Sequence, residues 1–236
     1  MAEECFGIIG AMHVEVDLLK KALAVSEKQT IAGLEFFSGV LGGISFVVVQ
    51  SGIGKVNAAL CAQILIDRFR VNRIINTGIA GAIAEDLKPL DMVLSTELVY
   101  HDVDVSGLGY APTMIPGMAP SIFTADPGLL AAAKTAAQAR GDNFRCYSGR
   151  IATGDQFIAS LERKEAIRKT CAPLCTEMEG AAIAHVASVN RVPFLIIRCI
   201  SDNADETVGT HYQFNEKAAA DLCAYIVVTL LHRAGK

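Results

Sequence analysis

PFLIIRCISD, residues 193 to 202, strings aliphatic and β-branched residues together without a polar residue at every second position, and it closes on Ser201 and Asp202. A strand with one wet face alternates, whereas an unbroken apolar run reads as a strand buried on both faces, as in a parallel sheet covered by helices. CFGIIG (5 to 10), SFVVVQSG (45 to 52), RIINTG (73 to 78) and DMVLSTE (91 to 97) repeat the pattern, each ending in glycine or polar residues. Between them apolar residues recur at helical spacing in EVDLLKKALA (15 to 24), VNAALCAQILIDRF (56 to 69), DPGLLAAAKTAAQAR (126 to 140), CTEMEGAAIAHVA (175 to 187) and NEKAAADLCAYIVVTLLHR (215 to 233). Alternating strands and helices predict an α/β fold with a largely parallel central sheet and helices on both faces. The exception is 33 to 50, where Gly42 and Gly43 separate two strand-like runs and predict an antiparallel hairpin.

The chain has 236 residues, 52% of them hydrophobic, and a positive mean hydropathy, so residues 1 to 236 are expected to form one domain around one core. Its formal net charge of -4 is spread over both signs with no basic block. That removes the electrostatic ground for a nucleic-acid or anionic-membrane partner and suits small neutral ligands. No apolar stretch is as long as a bilayer span, and the start MAEECFGIIG is acidic where a secretory signal is basic, so a cytoplasmic location is expected. The seven cysteines are scattered, mostly inside apolar runs, and read as buried free thiols. Cys171 and Cys175 have no second pair or nearby histidine to complete a zinc site, so no metal is expected.

In an open α/β sheet ligands sit outside the carboxyl ends of the strands. The segments at those ends are Ala11, Met12 and Glu15, then SGIGK (51 to 55), TGIAGA (77 to 82), TGDQFI (153 to 158) and SDNAD (201 to 205). SGIGK lacks the spacer and the hydroxyl residue of a P-loop, and GIIGAM lacks the dinucleotide glycine pattern, so neither ATP nor NAD is indicated. The irregular stretch 100 to 125 is long enough to predict a functional or interface loop. CTEMEGAAIAHVA admits two readings. Thr176 and Glu179 have the spacing of a capping box at a helix start, or Glu179 turns into a pocket; one side chain cannot do both.

Taken in order, IIGAMHVEV, SGIGKVNAAL, INTGIAGA, YHDVDV, TGDQFI, TEMEGAAIAHVA and RCISDNAD resemble the bacterial 5'-methylthioadenosine/S-adenosylhomocysteine nucleosidases of the purine nucleoside phosphorylase-like superfamily, over nearly the whole chain. The resemblance implies a three-layer α/β/α sandwich with a mixed, largely parallel sheet. It implies a homodimer that uses water to cleave the N-glycosidic bond of adenine nucleosides, with no cofactor. That chemistry requires a proton for the departing purine, stabilisation of positive charge on the ribose, and a positioned water. By similarity Asp202 is the acid toward adenine N7, Glu15 the base for the water, and Glu179 the grip on the 2' and 3' hydroxyls, with Met178 against the sugar. Phe157 stacks on adenine and the Ile158 backbone reads its edge. Met12, Ile53, Ile79 and Phe214 line the remainder, and Val105, Leu108 and Pro116 complete the partner subunit's pocket. HDVD (101 to 104) implies an interface or structural role, and His185 a packed one.

Each assignment has an ordinary structural counterpart: a cap for Asp202, a first-turn acid for Glu15, core packing for Phe157 and Ile158. The chain also departs from the family pattern. Ile79 stands where a serine is frequent, Leu108 where a phenylalanine is common, and 203 to 214 is about two residues longer. INTGIAGA carries no arginine of the kind that holds phosphate in related phosphorylases, which favours hydrolysis. The rival readings are a 6-amino-6-deoxyfutalosine hydrolase, a phosphorylase and a non-catalytic nucleoside-binding protein.

Overall fold

The apolar runs become β1 (Cys5–Gly10), β4 (Ile44–Gln50), β5 (Arg73–Ala82), β6 (Met92–Tyr100) and β10 (Phe194–Asp202) in a computed structural model. It describes residues 4–141, 144–205 and 208–234, the side chains of 208–214 excepted. The strands β2 (Val25–Ile31), β3 (Leu34–Leu41), β7 (Phe123–Thr124), β8 (Cys146–Thr153) and β9 (Cys175–Glu177) complete the sheet. The helices are α1 (His13–Ala22), α2 (Lys55–Phe69), α3 (Pro127–Gln138), α4 (Leu161–Cys171), α5 (Gly180–Val189) and α6 (Val208–Ala234).

The sheet is mixed, with helices on both faces. β4, β1, β5 and β10 lie parallel side by side, which buries Ile8, Ile9, Ile74, Ile75, Leu195, Ile196 and Ile197 on both faces. α6 covers β5 and β10 and packs against α1 and α3, while α2 packs against α5. The sheet then turns back on itself: β10 pairs antiparallel with β6, β6 pairs with β8, β8 with β9, and β9 antiparallel with the end of β5. Five strands thereby form a closed circuit in which β5 and β10 run antiparallel to β6, β8 and β9.

The 33 to 50 hairpin forms as expected. Gly42 and Gly43 take φ of 59° and 89°, the positive values that a two-residue turn matching strand twist requires. Sequence reading omitted β2, α4, the strand character of 175 to 177 and the short β7 inside the stretch 100 to 125 read as irregular. β2 is exposed and polar, without an apolar pattern, and α4 is a charged helix burying only Ile167 and Cys171. The predicted Thr176 cap fails because Thr176 lies inside β9, where its hydroxyl donates to the Ala152 carbonyl at 3.1 Å. All seven cysteines are free thiols, five of them buried. Among the described residues no helix is long and apolar enough to cross a membrane.

Candidate active site

The ends of β5 and β10, the residues of β9, the start of α1 and the loop after β8 surround a cavity. Met12, Glu15, Ile53, Ile79, Phe157, Ile158, Met178, Glu179 and Asp202 all line it, together with Gln156, Thr176, Glu177 and Ser201. The Phe214 side chain lies outside the described residues. Val105, Leu108 and Pro116 are not on this wall; they sit on the 100 to 125 loop, where Leu108 is 76% exposed.

Glu15 is the third residue of α1, and its carboxylate turns back to accept the N–H groups of Ala11 (2.7 Å) and Met12 (2.9 Å) and, across the sheet, that of Ile79 (3.0 Å). The helix start and the carboxylate therefore fix each other. Burial raises the Glu15 carboxyl above its ordinary range, and the nearby Arg198 charge and the three N–H groups oppose that rise. Space for this arrangement comes from Gly78: a Cβ there would overlap the Glu15 carboxylate and lie 2.8 Å from Arg198 Nη1. Gly81 does the same for the acid on β10, since a Cβ would come within 3.0 Å of Asp202 Oδ1.

The two glutamates of TEMEG divide the work. Glu177 caps α5: its Oε2 accepts the N–H groups of Glu179 (3.1 Å) and Gly180 (2.7 Å), and its Oε1 accepts the Thr153 hydroxyl. Glu179 makes no side-chain cap and instead lines the cavity, where its Oε1 accepts Gly54 N–H at 2.9 Å. Burial first, and the Glu177 charge second, push the Glu179 carboxyl up to about 8, against the pull of Arg198. Arg198 lies between these acids, fully buried. Its Nη2 contacts Glu177 Oε2 and reaches Asn76 Oδ1 at 2.5 Å, while Glu179 Oε2 stands 3.8 Å away. Three carboxylates thus hold one guanidinium charged although burial works against its charge.

Asp202 faces Glu15 and Glu179 from the end of β10. Its Oδ2 accepts the Ser201 hydroxyl at 2.7 Å and its Oδ1 accepts Ala204 N–H at 2.8 Å, a turn within the loop and not a helix cap, since α6 begins at Val208. Phe157 and Ile158 split: the Phe157 ring is 54% exposed at the rim, whereas the Ile158 side chain is buried beside Ile83, Val99 and Ile167. HDVD serves the scaffold. Asp102 Oδ2 accepts Lys55 Nζ at 2.6 Å and Asp155 N–H at 2.9 Å, and Asp155 Oδ1 caps α2 through Lys55 N–H at 2.8 Å. This ties the SGIGK and TGDQ loops together. His185 is packed, stacked on Phe123 at 4.8 Å with Nδ1 3.3 Å from the Tyr100 hydroxyl.

Sequence reading missed Arg198, Glu177, Asn76 and Thr153. The signal for Arg198 was an arginine amid PFLIIRCISD, because a buried guanidinium demands buried carboxylates. Glu177 carried a signal too, as a second acid beside the one already assigned.

A family model described as the phosphorylase superfamily matches residues 6–232. The 5'-methylthioadenosine/S-adenosylhomocysteine nucleosidase of Geobacillus kaustophilus is 44% identical over 225 residues, 95% of each chain. The crystal structure of the nucleosidase of that name from Neisseria meningitidis, in complex with methylthio-immucillin-A, superposes with a TM-score of 0.94 at 36% identity, covering 98% of this chain and 99% of the other. Its counterpart from Colwellia psychrerythraea, in complex with adenine, gives 0.92 at 39% identity, covering 97% and 95%.

Proposed function

This chain belongs to the 5'-methylthioadenosine/S-adenosylhomocysteine nucleosidases of the phosphorylase superfamily, and from that membership we infer that it hydrolyses the N-glycosidic bond of those two nucleosides. The products are adenine and the 5-thio-substituted ribose. The observation that carries the reading is the meeting of three carboxyl groups, Glu15, Glu179 and Asp202, from three separate segments in one cavity beside the exposed ring of Phe157. Simple binding of a neutral nucleoside has no use for three buried acids, whereas an oxocarbenium-like transition state does.

In the proposed reaction Phe157 stacks on the adenine and the Ile158 backbone reads its edge. Asp202 gives a proton to N7 as the C1'–N9 bond breaks. Glu179 accepts the ribose hydroxyls, Met178 and Ile79 pack on the sugar side, and Glu15 takes a proton from the water whose oxygen adds to C1'. Met12 and Ile53 receive the 5' group. Water is the acceptor and not phosphate, because the floor carries Glu15, Glu177 and Glu179 and its arginine is already engaged by Glu177 and Asn76. A phosphate dianion there would meet carboxylates.

The unit of function is a cytoplasmic homodimer of single-domain chains acting in methionine salvage. Large apolar side chains stand exposed on the packed pair α2 and α5, Val56, Leu60 and Val189 among them, and support a self-association face. Across it Val105, Leu108 and Pro116 complete the partner subunit's pocket. The test is turnover of methylthioadenosine, S-adenosylhomocysteine, 5'-deoxyadenosine and 6-amino-6-deoxyfutalosine in competition, with and without phosphate. The two thio-nucleosides should dominate without phosphate. A preference for the futalosine, or a phosphate requirement, would replace this reading with one of its rivals.

A further inference from the structure

Glu177 is the most heavily engaged acid of the site, yet the reaction outlined above gives it no role. Its side chain, like that of Arg198, is only 2% exposed. Besides Arg198 it holds the N–H groups of Glu179 and Gly180, the N-cap and first residue of α5, and the Thr153 hydroxyl, and Thr153 in turn accepts Ala181 N–H at 2.8 Å. Arg198 is anchored from the other side by Asn76, itself fixed through Nδ2 to the Ile9 carbonyl at 2.8 Å. Glu15 takes all three of its hydrogen bonds from backbone N–H groups, and Glu179 approaches Arg198 only to 3.8 Å.

We propose that Glu177 is a positioning residue: by engaging Arg198 it keeps the guanidinium from closing onto Glu15 and Glu179, which leaves those carboxylates for water and ribose. The inference rests on the hydrolase reading for the roles of Glu15 and Glu179. Without Glu177 the nearest acids to the guanidinium are Glu179 and Glu15, and a carboxylate paired directly with a guanidinium is a weaker base. The charged groups facing this cluster are Glu15 on α1, Glu177 on β9, Glu179 at the start of α5, Arg198 and Asp202 on β10, and His101 beside Tyr100. Burial is the larger cause of the rise of Glu179 to about 8, the Glu177 charge adds to it, and Arg198 at 3.8 Å opposes it.

The test is the pH profile of Glu177→Gln. The acidic limb of kcat/KM should move down by roughly one pH unit, and kcat at neutral pH should fall about tenfold. Adenine binding should change by less than about threefold. A limb that stays in place or moves up overturns the proposal. Because the single variant leaves Arg198 without its counter-charge and endangers folding, Glu177→Gln/Arg198→Met is compared with Arg198→Met alone. The limb should differ less between these two than between Glu177→Gln and the parent chain, since only the direct repulsion of Glu179 by the Glu177 charge survives without Arg198, and an equal or larger difference overturns the proposal. Titration of ¹³C-labelled glutamate carboxyls by NMR needs no turnover: Glu179 should titrate near 8 in the parent chain and lower in Glu177→Gln, and an unchanged or higher value overturns the proposal. Absence of turnover by the parent chain on every nucleoside would defeat the hydrolase reading, a distinguishable result.

Discussion

At the floor of the cavity Glu15 and Glu177 spend both carboxylate oxygens on donors from the same chain, whereas at the mouth Ile53 and Phe157 present 52% and 54% of their surface to solvent. The floor is over-determined: backbone N–H groups, a glycine shaped to the acids and a buried guanidinium all fix the same few atoms. The mouth is underdetermined by one chain. Catalytic geometry tolerates little displacement, so it belongs on strand ends and helix starts, while apolar selection of a substrate tail can be left to exposed side chains that the proposed partner subunit would cover.

This contrast makes floor substitutions costly and mouth substitutions mild. Glu15→Gln should lower kcat by about 10²–10⁴ while adenine still binds; calorimetry beside single-turnover kinetics checks it, and lost binding with intact chemistry would contradict the role of base. Gly78→Ala pushes a methyl group into Glu15 and Arg198, and overpacking of this kind costs about 1–3 kcal/mol. A lowered melting temperature together with lost activity is expected, and an unchanged enzyme would show that the floor yields.

Glu179→Gln probes the floor through pH. A carboxyl at about 8 in the folded chain, above its ordinary 4.5, binds its proton more tightly when folded. Its contribution to stability is present below about pH 4.5 and is lost as the pH rises through about 8. The glutamine variant should therefore lose less stability across that window, as thermal melts will show. Leu108→Ala, on the 100 to 125 loop proposed to complete the partner subunit's pocket, should leave kcat within about twofold and change the preference between 5' groups by a few fold, the size of a small apolar contact.

The same contrast explains what was legible in the sequence. Buried strands announce themselves through continuous apolar runs, so β1, β4, β5, β6 and β10 could be placed to within a few residues at most starts, and Glu15, Glu179 and Asp202 stood beside them. β5 runs four residues past its expected end because Gly78 and Gly81 in GIAGA serve the acids and do not break the strand. β2 and α4 carry little apolar pattern, and nothing local distinguishes them from loops. TEMEG was ambiguous for a reason that no local rule resolves. Both glutamates fit a helix start, and only the distant Arg198, Gly54 and Thr153 determine that Glu177 caps and Glu179 faces the cavity.

Adenine release from methylthioadenosine in phosphate-free buffer, by the parent chain and by Asp202→Asn side by side, tests the central claim most directly. Release by the parent chain that falls by about 10²–10⁴ in the folded variant is the predicted result. Equal release by both, or release that appears only when phosphate is added, would contradict it.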